Sequence, residues 1–204
     1  MPPTRAFAQL NLRWNPFSEP PLEARAELAV EIPTLELARG QALLLLGERG
    51  RGKTTRLIKW RESTPHAPYL YLPEVGRHPR IPRVERIFLD EAQRLPRLTR
   101  RFVWRRAGAW VIASHEDHSR ELERSGFSVR TERLEGLSLK KLEAVIQARL
   151  AWARRADGAA PSVPTALLSK LLERYADDLS GIESELYDYY QLLSHSSLVA
   201  TPSS

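Results

Sequence analysis

A short aliphatic run that ends on glycine limits most strongly what this chain can fold into. Ala42-Leu43-Leu44-Leu45-Leu46 is uninterrupted, and Gly47-Glu48-Arg49-Gly50-Arg51-Gly52-Lys53-Thr54 follows at once. An apolar run without polar alternation predicts a strand buried on both faces, and hence a parallel sheet covered by helices. The glycines after it let main-chain N–H groups turn inward around an anion. A helix predicted over 54–62 aims its positive N-terminus at the same point. The spacing G-x-x-x-x-G-K-[ST] therefore reads as a phosphate cradle formed by Gly47, Glu48, Arg49, Gly50, Arg51, Gly52, Lys53, Thr54 and Thr55. In such a cradle Lys53 neutralises phosphate oxygens and the Thr54 hydroxyl reaches Mg²⁺.

The next apolar stretches extend the α/β pattern. Tyr69-Leu70-Tyr71-Leu72 predicts a second strand, and a loop rich in Pro and Arg follows over 73–83. Arg86-Ile87-Phe88-Leu89 predicts a third strand, running straight into Asp90-Glu91. A short basic helix over 98–106, a strand over 109–113, a helix over 119–124 and a strand over 128–134 complete the series. Strands alternating with helices in units this short imply a parallel sheet with right-handed crossovers. Ahead of the first strand, Leu28, Val30 and Ile32 alternate with polar neighbours, as do Leu35 and Leu37. From Gly136 onward the period becomes helical: Leu139, Leu142, Val145, Ile146, Leu150 and Ala153 mark one helix, with Ser138 as its N-cap. Leu167, Leu168, Leu171, Leu172 and Tyr175 mark another, and Ile182, Leu186, Tyr189 and Leu193 a third.

The acidic pair supplies the second half of the chemistry. Asp90 at the end of an apolar strand suits a metal held beside phosphates, and Glu91 next to it suits a base that orients an attacking water. Taken alone, Asp90 also reads as the cap of the helix that follows.

Gly47 to Thr55 and Leu89-Asp90-Glu91-Ala92-Gln93 resemble the Walker A and Walker B motifs of additional-strand P-loop NTPases. Arg133-Leu134-Glu135-Gly136-Leu137-Ser138, followed by a helix carrying Arg149-Leu150, is similar to the junction of core and lid in AAA+ ATPases. The D-E-A-Q form resembles the branch of origin-recognition and transposition ATPases. The resemblance implies a three-layer P-loop core with a parallel sheet and a small C-terminal helical lid. Its domains would be an N-terminal arm (1–24), the core (25–135), the lid (136–193) and a disordered tail (194–204). It implies ATP and Mg²⁺ as cofactors, Thr54 and Asp90 as metal ligands, and Glu91 and Lys53 as catalytic residues. Ser114 or His115 would be the polar sensor after the fourth strand; His115 also reads as a loop histidine without a ligand. Arg120, Arg124 and Arg130 lie where the family places its arginine finger, and Arg124 is the choice among them. The family's sensor arginine near the start of the last lid helix has no counterpart in Asp177-Asp178-Leu179-Ser180-Gly181-Ile182, and Arg174 is the nearest substitute. Lys53 and Asp90 are 37 positions apart, which trims the usual second helix.

The implied activity is ATP hydrolysis that moves the lid or a partner. The alternative is a nucleotide-dependent switch or adaptor with little hydrolysis. A two-domain helicase does not fit 204 residues. A nucleotide kinase would need an acceptor site that no motif supplies.

Charge and composition bear on partners. The net charge is +6, and 77–106 holds ten arginines against three acids, with Phe102 and Trp104 among them. The window reads either as a surface for DNA or as a solvated helix face. Residues 157–191 carry seven acids and two bases, so an acidic lid meeting a basic core points to a homo-oligomer or a partner ATPase. Trp14-Asn15-Pro16-Phe17 reads either as core packing or as an arm folded beside the base. Cysteine is absent, which excludes disulfides, Cys-ligated zinc, iron–sulfur clusters and thiol catalysis and fits a reducing cytoplasm. No apolar run is long enough for a membrane span.

Overall fold

A computed structural model describes residues 5–134, 136–176 and 178–199. The chain forms two compact units: 25–135, and a second that joins 1–24 to 136–204. Helix α1 (Arg5–Gln9) belongs to the second unit.

The α/β unit follows the sequence pattern closely. It runs β1 (Gln41–Leu46), α2 (Lys53–Glu62), β2 (Tyr69–Tyr71), β3 (Val84–Asp90), α3 (Arg97–Trp104), β4 (Ala107–Ser114), α4 (Ser119–Arg124) and β5 (Ser128–Arg133). All pairings are parallel, in the order β2-β3-β4-β1-β5. The result is a three-layer α/β sandwich like that of P-loop NTPases, with β4 inserted between β1 and β3.

Strand alternation divides the core into two layers. Ala42, Leu44 and Leu46 of β1 pack with Trp104, Trp110 and Leu122, whereas Leu43 and Leu45 pack with Leu57 and Trp60 of α2. All five are buried, and each large aliphatic side chain contributes about 1.5–3 kcal/mol of transfer free energy. Trp104 meets Trp110 edge-on, with ring centroids 5.2 Å apart, and the Trp110 indole N–H donates to the Trp104 carbonyl at 2.9 Å. The β1–β4 register pairs Leu46 with Ser114, and the β3–β4 register pairs Leu89 with Ile112. The C-terminal ends of β1, β3 and β4 therefore lie along one edge, where ligands of open parallel sheets bind.

The alternation over 28–37 yields no strand. Pro33 removes a ladder donor from its middle. Ile32, Leu35 and Leu37 instead pack against the α2 side of the sheet, and Trp60 donates its indole N–H to the Pro33 carbonyl at 2.6 Å.

The second unit contains α5 (Leu139–Ala153), α6 (Thr165–Tyr175) and α7 (Leu179–Val199). Ser138 caps α5, accepting from the Lys141 N–H at 3.3 Å. Leu142, Ile146, Leu150, Leu168, Leu171, Ile182, Leu186 and Tyr190 form its core. The expected arm is part of that core. Phe7, Leu10, Leu12 and Phe17 are buried with these helices, and Leu12 bridges to Arg154. Phe17 meets Tyr190 at 4.9 Å and Trp14 meets Trp152 at 4.8 Å, so core packing accounts for the Trp14–Phe17 motif. The tail expected from Ser194 also differs. Leu193 and Ser194 continue the inner face of α7, which runs on to Val199; residues 200–204 lie outside the described residues. Among the described residues, no helix is long and apolar enough to cross a membrane.

Candidate functional site

The glycine loop links β1 to α2. Gly50 and Gly52 both have φ +81°, a left-handed conformation that an L side chain adopts only at about 1 kcal/mol or more. A Cβ on either would meet nothing within 4 Å, so it is backbone conformation and not crowding that favours glycine at both positions. Gly47 is close-packed: a Cβ there would sit 3.2 Å from the Leu134 carbonyl oxygen. Glu48, Arg49 and Gly50 are exposed, whereas Arg51, Thr54 and Thr55 are half-buried.

Lys53 is the first residue of α2 and is buried. Its ammonium donates to the Gly47 carbonyl at 2.6 Å and the Glu48 carbonyl at 2.8 Å, bracing the loop from within. Burial lowers its pKa, and the negative charges of Glu91, Asp90 and Glu48 oppose that. The net result is a cation held in the loop that its surroundings have only partly compensated.

Asp90, at the end of β3, is fully buried. One carboxylate oxygen, Oδ2, accepts from Thr54 Oγ1 at 2.7 Å and from the Tyr69 hydroxyl at 2.8 Å; Oδ1 accepts from the Glu91 N–H at 3.0 Å. Burial raises the Asp90 pKa, and the donors from Thr54 and Tyr69 pull it back. Tyr69 is pushed well above the usual phenol range, first by burial and then by the charge of Asp90. It is therefore a firm donor at any neutral pH. A hydroxyl and a carboxylate in contact at the end of the glycine loop form a hard-oxygen pair, which suits Mg²⁺ with its few protein ligands.

Glu91 turns the chain sharply, at φ 61° and ψ 41°. A left-handed glutamate is rare, and such strain collects at functional positions. Its Oε2 accepts from Gln93 Nε2 at 2.8 Å and pairs with Arg94 at 3.0 Å, while its Oε1 has His115 Nε2 at 3.7 Å. His115 also lies 3.9 Å from Glu48 of the glycine loop. Ser114, the last residue of β4, is fully buried; its hydroxyl contacts Gln93 Oε1 at 3.1 Å and His118 Nε2 at 3.0 Å.

Thr54, Asp90, Glu91, Ser114 and His115 are thus joined through direct contacts and through Gln93, and Lys53 is tied to the glycine loop through the Gly47 and Glu48 carbonyls. Arg124 stands apart, on the last turn of α4, in a cleft of about 520 Å³ lined also by Arg97, Asp117, Ser119, Arg120 and Glu121. Arg130 pairs with Glu132 at 3.4 Å. In the helical unit, Arg174 is committed to Glu185 at 3.0 Å; Asp177 lies outside the described residues.

The basic window is only partly a surface. Arg86, Arg94, Arg100 and Arg106 bond to the carbonyls of Leu37, Leu72, Leu95 and Ile81, respectively. Trp104 lies in the core rather than among exposed arginines. Arg77, Arg80, Arg83, Arg97, Arg101 and Arg105 face solvent, as does Phe102 beneath Arg101 at 4.7 Å.

Four participants were not assigned a site role by the sequence. Tyr69 reaches Asp90 because β2 pairs with β3, a register no motif encodes. Gln93, Arg94 and His118 act through contacts made by the turn after β3 and the loop after β4. Gln93 stood inside the D-E-A-Q string, which was its only available signal.

No protein-family model matches the sequence, and no curated protein matches it. A solved structure of Thermotoga maritima RuvB, the Holliday junction branch migration motor, aligns at 19% identity and TM-score 0.40 over 72% of this chain and 61% of that one. This chain therefore spans about three-fifths of RuvB's length. Saccharomyces cerevisiae Rif2 aligns at 10% identity and TM-score 0.39 over 97% and 89%. At these identities the likeness is one of backbone course, and the strand order and loop geometry above stand without it.

Proposed function

We propose that this chain is an AAA+-like ATPase that binds ATP with Mg²⁺ and hydrolyses it. The observation that carries this reading is the 2.7 Å contact between Thr54 Oγ1 and Asp90 Oδ2, which joins the glycine loop to the end of β3 across 36 residues of chain. Lys53 and the loop N–H groups bind the phosphates. Thr54 and Asp90 would hold the metal, which supplies charge neutralisation at the phosphates when bound. Of the two Glu91 oxygens, Oε2 is held by Gln93 at 2.8 Å and Arg94 at 3.0 Å, whereas Oε1 has His115 Nε2 at the longer distance of 3.7 Å, so Oε1 takes the proton from water as its oxygen attacks the γ-phosphorus and ADP leaves. Ser114 and His115 sense the γ-phosphate from the end of β4. Arg124, on its separate helix, would act on a neighbouring copy or partner ATPase. DNA is the partner class that the exposed arginines suit. Assignment to the origin-recognition and transposition branch rests on the D-E-A-Q string.

The second reading, a nucleotide switch with little hydrolysis, is favoured by the Glu91–Arg94 ion pair and by the commitment of Arg174 to Glu185. Glu91→Gln separates the two. On the hydrolase reading the variant binds ATP as tightly as wild type and loses phosphate release by about 100-fold or more. Equal release by both proteins would defeat it, and binding without release by either would establish the switch.

A further inference from the structure

Gln93 joins the two halves of the site. Its amide meets a carboxylate at one end and two donors at the other. Nε2 donates to Glu91 Oε2 at 2.8 Å; Oε1 accepts from Ser114 Oγ at 3.1 Å and from the His115 main-chain N–H at 3.3 Å. This orientation is dictated by the partners. A main-chain N–H can only donate and an ionised carboxylate can only accept, so reversing the amide would break both contacts. The residue itself is anchored: Arg100, buried beneath it, donates to the Gln93 carbonyl at 3.1 Å. Glu91 needs such support, because its left-handed backbone places the carboxylate on a sharp turn rather than on a regular strand or helix.

We propose that Gln93 is a positioning residue that couples the end of β4 to the Glu91 carboxylate, so that phosphate sensing and water activation operate as one unit. This inference rests on the hydrolase reading. A displacement of Ser114 or His115 on nucleotide binding is transmitted through one rigid amide to Glu91 Oε2, and it re-aims Oε1, the oxygen that takes the proton. Gln93 itself touches neither phosphate nor water in this role.

The amide's two ends can be tested separately. Gln93→Glu preserves shape and the acceptor for Ser114 and His115, but replaces the donor to Glu91 with a second oxygen. Gln93→Met preserves length and removes both ends. Steady-state phosphate release is measured with Mg-ATP on the full chain, beside Lys53→Ala, with ATP affinity and thermal midpoint recorded for each protein. Both Gln93 variants are expected to lose kcat by about 10–100-fold, the range for residues that orient a catalytic group, while KM and ATP affinity stay within about twofold. The Gln93→Glu result is decisive. A merely structural residue that holds Ser114 and His115 would leave this variant near wild-type turnover, and that outcome would overturn the coupling. So would a fall in ATP affinity that accounts for the whole loss. If Gln93→Met fails to fold, the isosteric Gln93→Glu carries the comparison alone. Wild-type turnover that is absent or persists in Lys53→Ala defeats the hydrolase reading and this proposal with it. Lys53-dependent turnover unchanged by either Gln93 variant defeats only the proposal.

Discussion

Replacing Arg100 with Met tests how the floor of the site is held. Arg100 is 8% exposed and on the inner side of α3. Its guanidinium donates to the Leu95 carbonyl at 2.9 Å and the Gln93 carbonyl at 3.1 Å, and lies 3.3 Å from His118 Nδ1. Glu116 and Glu121 stand 3.4 Å away. Methionine keeps the straight aliphatic stem and removes every donor. Two main-chain carbonyls are then left without their partner, at about 1–2 kcal/mol each. The Glu116 and Glu121 side chains are 59% and 30% exposed, so their ion pairs add less than about 1 kcal/mol apiece. Relief of the arginine's desolvation offsets part of the loss. The sum is about 3 kcal/mol, or about 10–20 °C in the thermal midpoint of a domain this size. Urea unfolding followed by tryptophan fluorescence reads it, because Trp104 and Trp110 lie in the same core layer. A change below about 1 kcal/mol would mean that the guanidinium is solvated and that the Gln93 backbone is held by something else.

Two further perturbations address one unit each. His118 is buried, and its pKa is lowered first by burial and then by the Arg100 charge, against the opposing carboxylates of Glu121, Glu116 and Asp117. The unfolded chain therefore binds a proton near pH 6.5 that the folded unit resists, so stability falls as pH drops below about 6.5, and His118→Gln flattens that slope in urea titrations between pH 7 and 5. In the helical unit, Phe17→Ala removes a ring buried against Tyr190 and lowers stability by about 3–4 kcal/mol; hydrogen exchange would show α7 amides losing protection, and unchanged exchange would contradict the packing.

The central strands were legible because a parallel sheet buried on both faces needs continuous apolar runs, and 42–46, 87–89 and 109–113 supply them. The glycine loop and Asp90-Glu91 were legible because their chemistry needs fixed spacing. The N-terminal segment was not: Phe7, Leu10, Leu12 and Phe17 follow no long period, and they are ordered by a cluster of helices more than a hundred residues later in the chain. Leu28 to Leu37 shows the converse, where alternation met a proline and became packing without a ladder. The contacts of Gln93 with Ser114 and of Tyr69 with Asp90 were not legible, because a side-chain partner in another strand or turn has no sequence spacing. Ten arginines in one window read as one basic face, yet four of them bind main-chain carbonyls, a distinction that burial alone makes.

Phosphate release from Mg-ATP by the purified chain, measured beside Lys53→Ala, decides whether the glycine loop and the acidic pair form a working site. Release that is present in wild type and lost by at least about 100-fold in Lys53→Ala is the expected result, since the buried ammonium is the loop's only lysine and braces its carbonyls. Failure of wild type to bind or hydrolyse ATP, or equal release by both proteins, would contradict it.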